Sequence, residues 1–113
     1  MQLLKFTINK GEEMIDVLAK KFAEQNLKSG AIISVVGAID YCRISTMAKD
    51  DPMEDFFTEY SEPLEINGVG EIREGKPHIH INLGRENGQT ASGHLHYAKV
   101  ESWYVTVFVA VGS

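Results

Sequence analysis

The chain opens on an alternation. In LLKFTI (Leu3 to Ile8) apolar and polar positions trade places, the period of a half-buried β-strand. The next stretch, NKGEEMIDVLAKKFAEQNLKSG (residues 9–30), changes period. Ile15, Leu18, Ala19, Phe22 and Ala23 recur at helical spacing and form one apolar stripe. Asn9 followed three residues later by Glu12 predicts the helix start, and Glu12, Glu13 and Asp16 suit the positive end of its dipole. Lys20, Lys21 and Lys28 lie toward the other end, and Gly30 is placed to stop the helix.

After this helix, strands dominate. AIISVVGAIDYCRISTM (31–47) holds two β-rich runs, with Gly37 marking a bulge or a close backbone approach. AKDDPMEDFF (48–57) reads as an acidic, solvated loop. Its Asp50, Asp51, Glu54 and Asp55 lack the regular ligand spacing and central glycine of a calcium loop. PLEINGVGEIREG (63–75) is strand-like with turn glycines. Its Gly68-x-Gly70 is no dinucleotide fingerprint, because Arg73 stands where the third glycine belongs and no helical pattern follows. WYVTVFVAV (103–111) is a near-continuous apolar run, as a central buried strand requires. There is no internal repeat and no low-complexity linker. One helix after the first strand, then strands with hairpin signals, predicts a single α+β domain over residues 1–113, its mostly antiparallel sheet curling over the helix.

The candidate chemistry lies in PHIHINLGRENGQTASGHLH (77–96), which holds all four histidines as two His-x-His pairs. Within each pair, His78 with His80 and His94 with His96, both side chains point to one face of a strand. Whether the pairs meet depends on the turn. A two-residue Asn87-Gly88 turn sets Ile81 opposite His94 and mixes apolar with polar residues on both faces. A three-residue Glu86-Asn87-Gly88 loop, with Gly88 in the left-handed position, sets His80 opposite His94 and His78 opposite His96. It also keeps Ile79 against Leu95. A slip of one residue turns a whole strand over, so burial selects the longer loop, and the histidines converge. Three neutral imidazoles on one face suit Zn²⁺ or a similar divalent first-row metal and leave a position open; such a site weakens in acid. The plainer reading is a set of polar residues hydrogen-bonded on a half-exposed sheet face.

Composition changes the picture mainly by exclusion. The 113 residues suffice for one core, and 43% hydrophobic residues with only three prolines fit a folded chain. A net charge of −5 is a poor start for neutralising phosphates. The single cysteine, Cys42, cannot form an internal disulfide and reads as a small buried residue. The N-terminus lacks the pattern of a signal peptide and no segment has the length of a membrane span, so a cytoplasmic protein is expected.

Two strings, GEEMIDVLAKKFAEQNLKSGAIISVVGAID (11–40) and EPLEINGVGEIREGKPHIHINLGRENGQTASGHL (62–95), resemble the plants-and-prokaryotes conserved domain, called PPC or PCC. The likeness rests on the Gly-Glu opening of the helix, the Val-Gly-Ala turn, Leu64-Glu65-Ile66, Pro77-His78-x-His80 and Gly93-His94-Leu95. It implies a compact α+β subunit forming a homotrimer, with the histidine region near the subunit contacts. It also implies that His78, His80 and His94 are the characteristic histidines, which hold zinc in some bacterial members. His96 is outside that pattern. Plant members add a basic Arg-Gly-Arg-Pro tract that enters the DNA minor groove; this chain has none, so DNA binding does not carry over, although bacterial relatives often bear a DNA-binding label. The family commonly has a Glu in its last core strand, where this chain offers Val105 or Thr106, and the chain ends soon after, at Ser113.

Three functions follow as expectations. The first is a homotrimeric metal- or small-ligand-binding protein using His78, His80 and His94. The second is a zinc-dependent enzyme with water at the open metal position, for which Glu65, Glu71 and Glu101 are the available carboxylates. A cupin variant is weaker, since Glu86 falls in the loop. The third is a DNA-binding or regulatory protein by family association. Phe56 and Phe57 are candidates for packing in the domain or its trimer interface.

Overall fold

The computed structural model describes residues 1–112. Eight strands and one α-helix follow in the order β1 (Gln2–Ile8), α1 (Met14–Glu24), β2 (Ser29–Ile39), β3 (Tyr41–Ala48), β4 (Asp51–Tyr60), β5 (Leu64–Arg73), β6 (Lys76–Gly84), β7 (Thr90–Lys99) and β8 (Val105–Val111). All strands join one sheet in the order β1-β8-β2-β5-β6-β7-β3-β4, and every neighbouring pair is antiparallel.

The curl of that sheet follows from its connections. β2 and β3 are separated by Asp40 alone, yet they hold the third and seventh places. In a flat sheet they would lie about 19 Å apart, at roughly 4.8 Å per strand. A one-residue link is possible only because the sheet bends until those ends meet. Asp40 secures the corner, accepting from the Glu101 and Ser102 amides at 2.6 and 3.0 Å and from the Ser102 hydroxyl at 2.7 Å.

The helix lies on one face of this sheet, against β1, β6 and β7. Met14, Leu18 and Phe22 are fully buried, with the Phe22 ring edge-on to Phe6 of β1 at 5.3 Å. Each such side chain contributes about 1.5–3 kcal/mol on burial. The predicted stripe is shifted: Leu18 and Phe22 are core, Ile15 packs at its margin, Met14 joins it, and Ala23 is exposed. The helix is also shorter than its pattern. Its N-cap is Glu13, whose carboxylate accepts from the Ile15 and Asp16 amides at 3.0 and 2.8 Å. Glu12 instead reaches back to the Asn9 amide at 2.7 Å. The chain leaves the helix at Gln25 and turns through Asn26 in the left-handed region (φ 56°), so Gly30 lies inside β2, which begins at Ser29. Asn tolerates that conformation nearly as glycine does.

The expected acidic loop is instead a hairpin arm. Residues 51–60 form β4, an edge strand paired with β3 alone and exposed from Asp51 to Glu59. A strand with no buried face has no burial alternation to betray it. Pro52 fits because an edge strand can spare an amide. Gly37 marks a close approach: it has φ 148°, and a Cβ there would stand 2.2 Å from the Tyr104 carbonyl. It lies inside β2 rather than at a turn. β8 is the buried apolar strand foreseen, between β1 and β2, but it starts at Val105 and leaves Trp103 and Tyr104 exposed.

Candidate metal centre

The hairpin of β6 and β7 closes as a three-residue loop. Glu86–Gly88 make one 3-10 turn, and the Arg85 amide donates to the Gln89 carbonyl at 2.6 Å. Both Asn87 (φ 63°) and Gly88 (φ 77°) occupy the left-handed region, where Gly88 alone was expected. Arg85 also grips Glu62 through two nitrogens, at 3.2 and 3.0 Å, which anchors the loop to the entry of β5.

From this closure the ladder runs Gly84–Thr90, Leu83–Ala91, Asn82–Ser92, Ile81–Gly93 and His80–His94. Ile79, Ile81, Leu83 and Leu95 point into the core, so the histidines stand on the face opposite α1. The expected pairing of His78 with His96 does not extend the ladder, which ends at His80–His94. Beyond it, β7 follows β3 through a register shift between Ile44 and Arg43, and His96 turns toward β3. There its Nε2 meets the Ser45 hydroxyl at 2.7 Å, and its ring lies 5.1 Å from Phe57.

His96 still lies against His94, with ring centroids 4.3 Å apart, and His78 stays with the cluster. Its ring centroid lies 4.7 Å from His94 and 5.2 Å from His80, and His80 and His94 are 6.0 Å apart. An imidazole centroid sits roughly 3.2 Å from a metal bound at about 2.1 Å, so tetrahedral ligands have centroids about 5.2 Å apart. The spacing therefore fits one ion held by three imidazoles. The ring orientations do not yet: among the described residues no group of three or more His, Cys, Asp or Glu side chains converges as a ready metal site.

Electrostatics favour the ligating form. Burial, reinforced by His96, His78 and His80 as neighbouring potential cations, pushes the His94 pKa down to about 4 against a weaker pull from Asp55. Burial and the Arg43 charge also lower His96. His94 is thus a neutral nitrogen donor at pH 7.

Glu71 is the residue that sequence reasoning failed to place. It stands directly across from His78 on β5, and its Oε2 lies 2.9 Å from His78 Nδ1. Arg73 Nη2 donates to the same oxygen at 2.9 Å. These bonds, the one to His78 first, lower the Glu71 pKa. A signal for this existed. Glu74 (φ 52°) and Gly75 (φ 82°) form a two-residue turn, and counting back from Arg73–Lys76 reaches Glu71–His78. Glycines close the same seam: a Cβ on Gly70 would stand 2.1 Å from the His78 carbonyl, and one on Gly68 2.5 Å from that of His80.

The other candidates disperse. Glu65 lines a separate cleft with Trp103 and Tyr104, and Glu101 sits at the Asp40 corner. Val105 is fully buried, while Thr106 lies on β8, three places from β6. Glu86 belongs to the 3-10 turn. Of the β4 acids, Asp51 accepts from the Met53 amide and Asp55 lines the histidine cleft. That cleft is open and holds about 1020 Å³, with Ile33 and Val69 on one flank and Met47, Pro52 and Asp55 on the other. Cys42 is buried, and that burial raises its thiol to about 11.

The family model of the Plants and Prokaryotes Conserved (PCC) domain matches residues 1–113. The chain belongs to this family. Solved structures agree on the fold of the PCC domain. A plant- and prokaryote-conserved protein from Pyrococcus horikoshii superposes with a TM-score of 0.84 at 19% identity, over 100% of this chain and 80% of that one. A metal-containing protein from Archaeoglobus fulgidus gives 0.81 at 26% identity, over 100% and 82%. A protein from Bacteroides thetaiotaomicron, provisionally described as DNA-binding, gives 0.83 at 22% identity, over 98% and 80%. Among curated proteins none matches this PCC chain significantly. No helix of the chain's described residues is long and apolar enough to cross a membrane.

Proposed function

We infer that this PCC-domain protein binds a divalent first-row metal, zinc foremost, through His78, His80 and His94, and works as a homotrimer. One observation carries the reading: His80 faces His94 across the ladder while the His78 ring lies 4.7 Å from His94 on the same side of the sheet. The donor set supports it, since three imidazole nitrogens select zinc or a neighbour over magnesium or calcium, which prefer oxygen. The metal-containing relative from Archaeoglobus fulgidus supports it as well. With three protein ligands, a bound ion keeps a position for a small molecule from the cleft and supplies Lewis acidity there. The protein's part is to hold three nitrogens on one hairpin, with Asn82 and Ser92 as polar neighbours and Ile33, Val69 and Met47 as apolar flanks.

Metal content of the purified protein, compared with the triple variant His78→Ala, His80→Ala, His94→Ala, tests the site. Bound zinc lost in the variant is the expected result, and equal content in both removes the proposal. Homotrimer formation fits the exposure of Ile33, Val36, Met47, Val69 and Phe56, since lone domains rarely leave so many large apolar side chains bare. Light scattering should give three times the 12.6 kDa subunit mass; the subunit mass alone would exclude the trimer without touching the metal site. DNA binding gains nothing from this chain's −5 charge.

A further inference from the structure

We propose that Glu71 is a positioning residue of the histidine cluster, accepting the Nδ1 proton of His78 and so fixing the tautomer that leaves Nε2 free to ligate. This rests on the metal reading above. The two ring nitrogens of a histidine are not equivalent, and the hydrogen bond made by one decides which of them keeps its lone pair. Glu71 Oε2 lies 2.9 Å from His78 Nδ1, and a carboxylate at that distance selects the Nδ1–H form.

The arrangement is built into the strands. The two-residue turn at Glu74-Gly75 fixes Glu71 opposite His78, and Gly70 lets β5 approach β6 more closely than a side chain would permit. Arg73, which also lines the cleft, donates to the same carboxylate oxygen at 2.9 Å and so fixes its position beside His78. Among the described residues, neither His80 nor His94 has a side-chain hydrogen bond of this kind. One histidine of the three is therefore oriented in advance. A carboxylate behind a ligating histidine also raises the basicity of the ligating nitrogen.

Two variants test this, Glu71→Ala and Glu71→Gln. Long-range ¹⁵N–¹H correlation spectra of the zinc-free protein report each imidazole tautomer directly. His78 is expected as Nδ1–H in the parent, as a tautomer mixture in Glu71→Ala, and again as Nδ1–H in Glu71→Gln, whose amide oxygen still accepts. His80 and His94 should keep their signals throughout. In competition with a chromophoric chelator, zinc affinity should fall about 10- to 100-fold in Glu71→Ala and recover in part in Glu71→Gln. An unchanged His78 tautomer in Glu71→Ala, or a zinc affinity within about twofold of the parent, where about 10-fold is the least loss expected, overturns the proposal. A parent that binds no zinc removes the metal reading first, and that failure is visible without either variant.

Discussion

Arg85 and Gln89 face each other across three residues, the amide of one donating to the carbonyl of the other at 2.6 Å, and this closure aligns His80 with His94. Everything the histidine face does depends on that count. A two-residue closure would have sent one pair into the core side and left the other outside.

The loop carries two left-handed residues, of which Gly88 (φ 77°) has nothing within 4 Å of where a Cβ would stand. Gly88→Ala therefore meets only backbone strain. It should cost about 1–2 kcal/mol, read as a lower urea midpoint at unchanged m-value. Nuclear Overhauser contacts between His80 and His94 should persist; their loss would show that the residue fixes the register itself.

Gly70 is the harsher case. A Cβ there meets the His78 carbonyl oxygen at 2.1 Å and Ile79 Cα at 2.9 Å, both backbone, so no rotamer can give way. Gly70→Ala should destabilise the fold by about 1–3 kcal/mol and disturb the Glu71–His78 pair with it. Chemical denaturation with imidazole spectra checks both; a change under roughly 0.5 kcal/mol, the usual size for an unconstrained surface substitution, would count against the close approach.

Acid should weaken the metal-free fold through His94. Folded, this imidazole stays neutral down to about pH 4, whereas its ordinary value is 6.5. Between those limits the unfolded chain binds the extra proton, so unfolding becomes easier as pH falls. The contribution is present above pH 6.5 and is lost as pH falls toward 4. Urea midpoints at pH 7, 5.5 and 4.5, with chelator present, should decline in the parent and decline less in His94→Gln. Parallel curves would contradict the assignment.

Cys42 should be silent in the native state. It is fully buried in the core, and its thiol is pushed up to about 11, mainly by that burial. A disulfide reagent at pH 8 should react only as fast as the protein unfolds, and at once in denaturant. Fast labelling without denaturant would mean the β3–β4 arm opens.

Glu13 ties the helix to the strand that carries His94. Besides capping α1, its Oε2 accepts from the Ala98 amide of β7 at 2.8 Å. Glu13→Ala should cost about 1–2 kcal/mol, since a cap and a cross-link disappear together, and hydrogen exchange should speed up in the first helical turn and at Ala98. Protection unchanged at Ala98 would contradict the cross-link.

The sequence alone determined whatever follows from local period and from which side of a strand must be buried. β1, the helix body around Leu18 and Phe22, the buried β8 and the hairpin register at His80–His94 all belong to this class, because a wrong choice would have put Ile79 and Leu95 in water. Local pattern was mute where burial does not alternate or where the neighbour comes from elsewhere. β4 has no buried face and so looked like a loop. His96 was drawn to Ser45 by a register shift on β3, a strand distant in sequence. The nearness of Glu71 to His78 was a matter of counting through a second turn, but the closeness of those backbones, and the crowding that keeps His94 neutral, exist only after five strands have been laid side by side. Periodicity is a property of one segment; desolvation and proximity are properties of the packed sheet.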